Sequence, residues 1–500
     1  MPYPIKHLIV LMLENRSFDH MLGYMPGVDG IPQNWSNPLQ AEGPIVPATP
    51  NARTVHDLIP DPGHEWVNVN VQIFENSGGT GPATMQGFVI DYHTVSNDIT
   101  QAPNIMKCFT PQTLPILHAL ASQYAVCDRW FSAVPGSTIP NRLFTHAANS
   151  LGSLTQDAIA APFAIRTIFQ DMDVPPKKAD YRIYTNGSSI LMANGYLQTK
   201  QNNFSDFLTE FVNDAAKGDL PEYVFIEPSY DDDVTAGSYA NSQHPDFPVD
   251  AGEALIAQVY TALCSSPDWN DTLLLITYDE HGGIQDHVVP PAVSCKPANA
   301  GMPGVPPSTS PSFGFDRLGV RVPAVFVSPR IAPGTFIRDQ PYYEHCSIVA
   351  TVRKLFCGAP VAVAPPFNWR EAQAPTFENL LVLDNPRPDI KLPVPFASPG
   401  VTPADVAAAN QLVSTLNTVS LQAAAGDPAA EQQIITPAAL PKQPPDTRTP
   451  TDLMVLMAQA MNYSLQQQGI KPPMDINTIY SAQDAANFIR QANAAVTGAA

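Results

Sequence analysis

The sequence predicts an α/β fold with a doubly wound, mostly parallel central sheet that is flanked by helices. Short runs of branched apolar residues recur between His7 and Pro329, and segments with helical periodicity lie between them. Hydrophobic residues make up 44% of the 500 residues, which is enough for a sizeable core. Strands that alternate with helices are typical of parallel sheets covered on both faces.

The first predicted strand is the segment HLIVLML, His7–Leu13. After His7 it contains no polar residue, and a continuous apolar run of this length is typical of a central parallel strand buried on both faces. Comparable runs predict further strands at Tyr181–Thr185, Glu222–Pro228, Thr272–Glu280 and Val322–Pro329.

Helices are predicted between these strands. Leu114–Val126 and Ala251–Ser266 place apolar residues at helical spacing. A long insertion, Pro26–Ala102, interrupts the alternation, and the 53 prolines and 28 glycines of the chain indicate many ordered loops. Loops that are carried on a rigid scaffold commonly build active sites.

The composition changes near residue 365, and we predict two regions. The first is a catalytic domain at 1–365, and the second is a Pro/Ala/Gln-rich helical C-terminal extension at 366–500. Two proline-rich stretches and three predicted helices make up most of the extension. The stretches are Pro386–Pro403 and Pro437–Pro450, and the helices are Ala404–Ala425, Leu453–Gln468 and Ala482–Ala494. The extension is either a helical appendage on the core or a separate interaction module.

The chain is strongly acidic, with Lys+Arg 26 against Asp+Glu 46 and a formal net charge of −20. A field of this sign repels nucleic acids, and no basic tract offsets it, so we expect no nucleic-acid partner. The six cysteines form no CxxC pair, which argues against a zinc ribbon and a disulfide scaffold. Cys346 with Cys357, or Cys108 with Cys127, could form disulfides, and buried free thiols are the alternative.

The N-terminal apolar run is too short for a signal-peptide core with its flanks or for a membrane span, because Glu14 follows Leu13 directly. No other run approaches transmembrane length. As written, the chain carries no visible export signal and would be cytoplasmic, although a signal could have been removed. The compartment and the oligomeric state stay open.

Acidic and amide side chains stand at the ends of two predicted strands. Glu14 and Asn15 follow the first strand, and Asp279 and Glu280 end the fourth. Because open parallel sheets bind ligands beyond the carboxyl ends of their strands, these side chains can converge. Oxygen ligands suit a hard divalent ion such as Mg²⁺, Ca²⁺ or Mn²⁺. An acid that follows a strand can also cap a helix, and this alternative stays open for each pair.

The loop VPGSTIPNR, Val134–Arg142, is a second candidate site. Its glycine and prolines predict a tight turn that presents Ser137 and Thr138. Coordination to a metal ion can activate such a hydroxyl as a nucleophile, and Asn141 and Arg142 could hold phosphate oxygens. The alternative is a turn whose Ser or Thr only caps the following helix.

Histidines form a third group of candidates. An imidazole can donate to a phosphoryl oxygen or protonate a leaving alkoxide. A single loop histidine more often makes a structural hydrogen bond, but glycine, proline and acidic neighbours favour a functional role for most of this group. The candidates are His64, His244, His281, His287 and His345.

Read together, these motifs resemble the bacterial phosphoesterase family of phosphatidylcholine-type phospholipases C and acid phosphatases, in the alkaline phosphatase-like superfamily. The opening run IKHLIVLMLENRSFDHMLGY is similar to the first motif of that family, and the similarity extends to about residue 360. The similar segments are Ile5–Tyr24, Asp61–Trp66, Cys127–Arg142, Ser242–Pro245, Thr277–Pro291, Phe313–Pro329 and Glu344–Val349. Several motifs in the same order are far more specific than any one of them.

The resemblance implies a phosphoric ester hydrolase with one catalytic divalent metal ion, which is Mg²⁺, Ca²⁺, Mn²⁺ or Zn²⁺. The implied ligands are Glu14, Asn15, Asp279 and Glu280. It also implies that a hydroxyl of the VPGST turn attacks phosphorus and forms a covalent phospho-enzyme. The family usually has a threonine after Gly-Pro at this turn, so the implied nucleophile is Thr138. Ser137 stands where the family has proline and is the fallback.

The roles of the other candidates also follow from the resemblance. His64 and His244 match positions that contact the phosphoryl or leaving group. The further catalytic candidates are His281 and His287. The substrate-binding candidates are Asn141, Arg142 and His345.

The expected reaction is phospholipase C-type cleavage of a phosphodiester, with a phospholipid headgroup as one candidate substrate. A broad-specificity acid phosphatase that acts on monoesters is the first alternative, because the C-terminal region does not resemble the β-sandwich modules of many phospholipases. A non-catalytic binding protein on the same fold is an alternative of a different class. A sulfatase is disfavoured because the VPGST turn contains no cysteine.

Overall fold

A computed structural model of the chain describes residues 4–40, 43–53, 58–155, 163–175, 178–185, 189–230, 240–293, 313–357 and 367–393, together with isolated positions between 458 and 492. The strands and helices that follow are those of the described residues.

The strands are short except at the centre of the main sheet. They are β1 (His7–Leu13), β2 (Ser36–Pro38), β3 (Ile45–Pro47), β4 (Ala125–Val126), β5 (Trp130–Phe131), β6 (Tyr181–Thr185), β7 (Phe204–Asp206), β8 (Tyr223–Ile226), β9 (Thr272–Tyr278), β10 (Ala324–Val327), β11 (Thr335–Phe336) and β12 (Tyr343–Glu344). The α-helices are α1 (Phe18–Leu22), α2 (Trp66–Phe74), α3 (Phe88–Ser96), α4 (Pro115–Gln123), α5 (Thr138–Ala147), α6 (Ile168–Met172), α7 (Val212–Lys217), α8 (Val249–Cys264), α9 (Cys346–Phe356) and α10 (Trp369–Gln373).

An eight-stranded sheet forms the centre of the fold, in the order β11-β4-β10-β9-β1-β8-β6-β7. Neighbouring strands are parallel except at β10, which is antiparallel to both β9 and β4. The predicted α/β fold with a mostly parallel central sheet is therefore confirmed. Each predicted strand segment contains a strand of this sheet, and the predicted helices at Leu114–Val126 and Ala251–Ser266 correspond to α4 and α8.

The register at the centre of the sheet aligns the ends of β1, β8 and β9. Leu11 pairs with Ile226 on one side and with Ile276 on the other, and Leu13 pairs with Tyr278. Because these three strands are parallel, the residues that follow them leave the sheet at the same edge. This edge is where open α/β sheets bind their ligands.

Helices cover both faces of the sheet. Every residue of β9, and every residue of β1 after His7, is buried. Helix α8 contacts both α4 and α7, and α5, α6, α9 and α10 form a second group around α9. Two helix layers around strands without a solvent-exposed face explain why the central strands are continuous apolar runs.

The predicted insertion, Pro26–Ala102, contains the antiparallel pair β2–β3 and helices α2 and α3. Its apolar side chains form a second, smaller hydrophobic cluster, which also includes Ile284 and Val320. Ile284 belongs to the loop that follows β9. The insertion therefore packs directly beside the carboxyl edge of the sheet.

Parts of the C-terminal region join the main hydrophobic core. Trp369 and Phe377 are buried in the cluster that contains the sheet, and so are Ala458 and Phe488. Burial in a common core favours an appendage that packs on the catalytic domain. The division into regions at residue 365 stays a prediction.

The predicted helix Ala404–Ala425 lies outside the described residues. Only isolated positions of Leu453–Gln468 and Ala482–Ala494 are described, and these positions are helical. No helix in the described ranges is long and apolar enough to cross a membrane. Neither candidate disulfide is present, because the cysteines of the described residues are free: Cys108, Cys127, Cys264, Cys346 and Cys357.

Candidate active site

The predicted metal ligands and nucleophile meet where β1 and β9 end. The backbone N–H groups of Asn15 and Glu280 both donate to Asp279 Oδ1, at 3.0 and 2.8 Å. Thr138 Oγ1 donates to Asn15 Oδ1 at 3.2 Å. Glu14 is buried with these side chains and is close enough to Asp279 for their charges to interact. Five polar side chains from three segments therefore share one buried site.

The backbone around Asn15 has an unusual conformation that aims its side chain into the site. Asn15 has φ 54°, in the left-handed region that asparagine tolerates better than most residues. Gly282 has φ 64°, and a Cβ at this position would lie 2.1 Å from the Asn15 carbonyl oxygen. Only glycine fits this close approach. The Gly282 N–H donates to Glu280 Oε2 at 2.7 Å and so fixes the second strand end.

The VPGST turn is shaped by Asn141. Its Nδ2 donates to the carbonyl oxygens of Val134 and Gly136 at 3.2 and 2.9 Å, and its Oδ1 accepts from the Val134 N–H at 3.0 Å. A Cβ at Gly136 would lie 2.4 Å from the Leu154 carbonyl oxygen, so this position requires glycine. Thr138 is the first residue of α5. Its hydroxyl therefore lies at the positive end of a helix, which stabilises bound anions.

Ser137, the fallback nucleophile, is the N-cap residue of α5. Its side chain is buried, and its Oγ has no hydrogen-bond partner among the described residues. Thr138, in contrast, contacts the predicted ligand Asn15. These contacts favour Thr138, and the choice between the two hydroxyls stays a prediction.

Arg142 is fully buried behind the ligands. Its Nε donates to Asp279 Oδ2 at 2.9 Å, and its Nη2 donates to the Leu13 carbonyl oxygen at 3.1 Å. The guanidinium lies 5.2 Å from the ring centre of Tyr230, whose hydroxyl donates to Glu227. Asn141 and Arg142 thus hold the turn and Asp279 in place, while their predicted contact with substrate stays a prediction.

His64 and His244 lie on either side of Asp61, with their ring centres 6.3 Å apart. His244 Nδ1 lies 2.6 Å from Asp246 Oδ1, and its Nε2 lies 3.8 Å from Asp61 Oδ2. His64 Nδ1 lies 2.8 Å from the Pro62 carbonyl oxygen. Since the Nδ1 atom of each ring is held by its own loop, Nε2 is the nitrogen that can contact a phosphoryl group.

Carboxylates dominate the electrostatics of the site. Burial would lower the pKa of His64, but the charges of Glu280 and Asp61 outweigh burial and raise this pKa to about 9. Burial raises the pKa of Glu14 to about 7, although the charge of His244 opposes the rise. Both shifts have the same consequence: the site favours added positive charge.

His281 and His345 support the ligands from behind. His281 Nδ1 lies 3.3 Å from Glu280 Oε2, and its Nε2 lies 2.7 Å from Gln72 Oε1. His345 Nε2 lies 2.5 Å from the Asp279 carbonyl oxygen, and its Nδ1 accepts a hydrogen bond from a tryptophan indole at 3.3 Å. Both ring nitrogens of each residue are engaged inside the protein. Their catalytic and substrate-binding roles stay predictions.

His287 lies in a different cluster from the other candidates. Its Nδ1 lies 2.7 Å from Asp19 Oδ2, and Arg321 donates to both Asp19 and Asp286 at 2.9 Å. Ligand atoms of Asp19, Asp286 and His287 lie within 4.8 Å of one another, the only such group found among the described residues. The buried Arg321 guanidinium already compensates both carboxylates, so a metal ion would compete with it.

Some residues of the site were not identified from the sequence. Arg16 is buried, and it donates to the carbonyl oxygens of Gln243 and His244 at 2.6 and 3.3 Å, which fixes the loop that carries His244. Its position three residues after the end of β1 was a usable signal, as was that of Glu227 directly after β8. Gln72 has no comparable signal, because it is an ordinary polar residue inside a helix.

The donor set fits a hard divalent ion. Glu280 Oε1 is a buried atom without a hydrogen-bond partner in the part of the chain that the structure describes. Asn15 Oδ1 accepts from Thr138 and has a second lone pair that a cation can use. Asp279 differs, because both of its oxygens already accept hydrogen bonds. A buried polar atom without a partner is costly, and a cation would satisfy Glu280 Oε1.

Residues 5–357 match the model of the Phosphoesterase family. The chain belongs to this family. The matched residues include the ends of β1 and β9, the VPGST turn and the loops that carry the predicted histidines. The family resemblance inferred from the sequence motifs is thereby confirmed.

Named relatives of this phosphoesterase are phospholipases C. It is 39% identical to non-specific phospholipase C6 of Arabidopsis thaliana over 416 aligned residues. The aligned region covers 79% of this chain and 76% of that protein. It is 27% identical over 425 residues to phospholipase C B of Mycobacterium tuberculosis (strain CDC 1551 / Oshkosh), which covers 74% and 76% of the two chains.

Among solved structures, a protein in the alkaline phosphatase superfamily from Vibrio parahaemolyticus is similar at a TM-score of 0.33 and 10% identity, over 71% of this chain and 68% of that one. The fold assignment rests on the sheet itself. Family membership makes the chain a phosphoric ester hydrolase and its substrate a phosphate ester, as expected.

Proposed function

We propose that this phosphoesterase cleaves a phosphodiester in the manner of a phospholipase C, with one bound divalent ion and a covalent intermediate on Thr138. The observation that carries the proposal is the hydrogen bond from Thr138 Oγ1 to Asn15 Oδ1, at 3.2 Å. This bond places a hydroxyl at the N-terminus of α5 and beside the buried carboxylates of the strand ends.

The ion would be held by Glu14, Asn15, Asp279 and Glu280. When bound, it lowers the pKa of a neighbouring hydroxyl and compensates the charge of phosphate oxygens. The chain contributes the geometry: Arg142 fixes Asp279 through Nε at 2.9 Å, and Gly282 fixes Glu280 through its N–H at 2.7 Å.

In the first step, Thr138 Oγ1 releases its proton to solvent and attacks phosphorus, and the bond between phosphorus and the alcohol oxygen breaks. His64 and His244 direct their Nε2 atoms at the phosphoryl and leaving oxygens, and one imidazolium protonates the departing alkoxide. In the second step, water attacks phosphorus and the bond between phosphorus and Thr138 Oγ1 breaks; the attacking water gives one proton to the imidazole, and Thr138 Oγ1 takes a proton from solvent. Asp246 and Arg16 orient His244 for these transfers.

The names of the relatives support a phosphodiester substrate. Non-specific phospholipase C6 is 39% identical to this chain over most of both proteins. We therefore propose a phospholipid headgroup ester as the substrate class. Phosphatase action on monoesters needs the same central residues, and a comparison of diester and monoester hydrolysis separates the two activities.

The test compares Thr138→Ala with Ser137→Ala, which removes the neighbouring hydroxyl and serves as the matched control. Hydrolysis of p-nitrophenyl phosphorylcholine and of p-nitrophenyl phosphate is measured with and without chelator. Thr138→Ala is expected to lose at least about a thousandfold in kcat, because the covalent route is gone, while Mn²⁺ still binds. Ser137→Ala is expected to keep most of its activity.

Other outcomes would change the proposal in distinct ways. An active Thr138→Ala with an inactive Ser137→Ala would move the nucleophile to Ser137. Activity in both variants would exclude the covalent scheme, and full activity after chelation would exclude the metal. Faster hydrolysis of the monoester would identify an acid phosphatase.

A further inference from the structure

Gln72 lies on α2, inside the insertion that packs beside the carboxyl edge of the sheet. Its side chain is fully buried and hydrogen bonded at each end. Its Nε2 lies 2.6 Å from the Gly63 carbonyl oxygen and 2.7 Å from Asp91 Oδ2, and its Oε1 lies 2.7 Å from His281 Nε2. One glutamine thus joins three separate segments of the chain.

The orientation of this amide is fixed by its partners. The Gly63 carbonyl oxygen and the Asp91 carboxylate can only accept, so the NH₂ group of Gln72 must face them. The amide oxygen therefore faces His281, and His281 Nε2 must carry a hydrogen. Asp91 is held in turn by Asn68, whose Nδ2 donates to Asp91 Oδ1 at 2.9 Å.

Two of the three partners are next to residues of the proposed mechanism. Gly63 directly precedes His64. His281 directly follows Glu280, and its Nδ1 lies 3.3 Å from Glu280 Oε2. Gln72 itself has no contact with a proposed ligand or nucleophile, so it can act on the reaction only through these neighbours.

The loop of His64 and the loop of Glu280 are in contact, and the described residues show no other hydrogen bond between them. A Cβ at Gly283 would lie 2.4 Å from the Gly63 carbonyl oxygen, so the two backbones are in direct contact. No backbone hydrogen bond of the described residues joins 61–64 to 280–283. Among the described residues, the Gln72 side chain links the loop of His64 to the loop of Glu280, through its hydrogen bonds to the Gly63 carbonyl oxygen and to His281.

We propose that Gln72 is a positioning residue that sets the place of His64 relative to Glu280. The proposal rests on the proposed function, because it assumes that His64 contacts the phosphoryl group and that Glu280 binds the ion. Small displacements of reacting groups are costly in catalysis. Loss of a hydrogen-bond partner behind a metal ligand typically costs 10–100-fold in metal affinity or activity.

Gln72→Met keeps the length of the side chain and removes all three hydrogen bonds. We expect kcat for p-nitrophenyl phosphorylcholine to fall about 10–100-fold, with KM much less changed, and Mn²⁺ binding followed by electron paramagnetic resonance to weaken. The matched control is Asn70→Leu, which removes a buried amide from the same helix. Asn70 bonds Ser77 and Arg317 instead of the site, so we expect a comparable loss of thermal stability with normal kcat and Mn²⁺ affinity.

A second variant isolates the link to His64. In the double substitution Gln72→Glu with Asp91→Asn, residue 72 still accepts from His281, and the new amide at 91 donates to residue 72. The donor to the Gly63 carbonyl oxygen is lost, and a carboxylate oxygen at position 72 then faces this carbonyl oxygen and repels it. We expect Mn²⁺ affinity close to that of the wild type, a thermal stability lowered by this repulsion, and kcat lowered about tenfold or more; this pattern also tests the idea if Gln72→Met does not fold.

The idea is overturned if the double variant has wild-type kcat, or if Gln72→Met behaves like Asn70→Leu in both kcat and Mn²⁺ binding. Failure of the proposed function has a different appearance. In that case Thr138→Ala stays active or chelator has no effect, whereas a loss of kcat in Gln72→Met that Asn70→Leu does not show still reports on the link that Gln72 makes between the two loops.

Discussion

The segments that follow β1 and β9 build two acidic clusters with opposite properties. The first contains Glu14 and Asp279 with Glu280, and its fixed arginine, Arg142, bonds only to Asp279 among them. The second contains Asp19 and Asp286 with His287. There a single arginine, Arg321, donates to both carboxylates at 2.9 Å.

The difference between the clusters lies in the compensation of charge. In the second cluster, the buried Arg321 guanidinium bonds to both carboxylates and compensates their charge. We call this cluster closed, because its carboxylates already have a cationic partner, and we call the first cluster open. In the first cluster, Glu280 Oε1 has no hydrogen-bond partner among the described residues. Acids and a histidine near one another are therefore insufficient to identify a metal site. Whether such a cluster can bind a metal ion depends on whether a buried cationic side chain already compensates its carboxylates.

The most direct test of this difference between the clusters makes the same isosteric change in each of them. Glu280→Gln removes a proposed ligand charge, and we expect Mn²⁺ binding to be lost and turnover of p-nitrophenyl phosphorylcholine to fall by about a thousandfold. The matched change is Asp286→Asn in the closed cluster. We expect this variant to bind Mn²⁺ as the wild type does. Loss of Mn²⁺ binding in Asp286→Asn alone would transfer the metal site to the second cluster.

Removal of the internal cation should open the second cluster. Arg321→Met leaves two buried carboxylates without their partner, and we expect the free energy of unfolding to fall by about 3–5 kcal/mol in urea titrations. Added Mn²⁺ should recover part of this loss, because the opened cluster then resembles the first. The matched control is Arg129→Met. Arg129 pairs with Asp29 at 3.0 Å, and 40% and 36% of the two side chains are exposed, so the expected loss is about 1 kcal/mol or less.

If Mn²⁺ does not reduce the stability loss of Arg321→Met, the arrangement of the ligand atoms, and not only the charge of Arg321, prevents the second cluster from binding a metal ion. Equal losses in Arg321→Met and Arg129→Met would contradict the view that burial makes the Arg321 pairs important.

The sequence alone predicted the central strands and the meeting of their ends. The runs at β1 and β9 are long and purely apolar, and parallel register then requires Glu14 and Asp279 to lie at one edge. His287 could not be separated from the other histidines in this way. It lies seven positions after Glu280 in the same acidic motif, and its assignment to the second cluster depends on Arg321, which reaches it from the segment that precedes β10.

The supporting residues were harder to predict for a related reason. Gln72 contacts His281 across 209 positions of sequence, and its role is defined only by the packing of the insertion against the loop after β9. Arg142 and Asn141 were expected to bind phosphate because of their chemistry. Their hydrogen bonds inside the protein depend on the close turn at Gly136, which a motif does not specify.

The smallest expected effect concerns the pH dependence of the closed cluster. Burial raises the pKa of Asp286 from 3.8 to about 6, although the charge of Arg321 opposes the rise. Between pH 3.8 and about 6, Asp286 is protonated in the native state but ionised in the unfolded chain. The stabilising contribution of Asp286 is therefore present below pH 4 and is lost as the pH rises through 6. Relative to Asp286→Asn, the unfolding free energy of the wild type should fall by about 2–3 kcal/mol over this window. Urea titrations of both proteins at several pH values measure this difference in unfolding free energy. If the difference does not change with pH, Arg321 compensates the buried Asp286 carboxylate completely. The contrast with the first cluster, where Glu280 Oε1 has no partner among the described residues, would then be still larger.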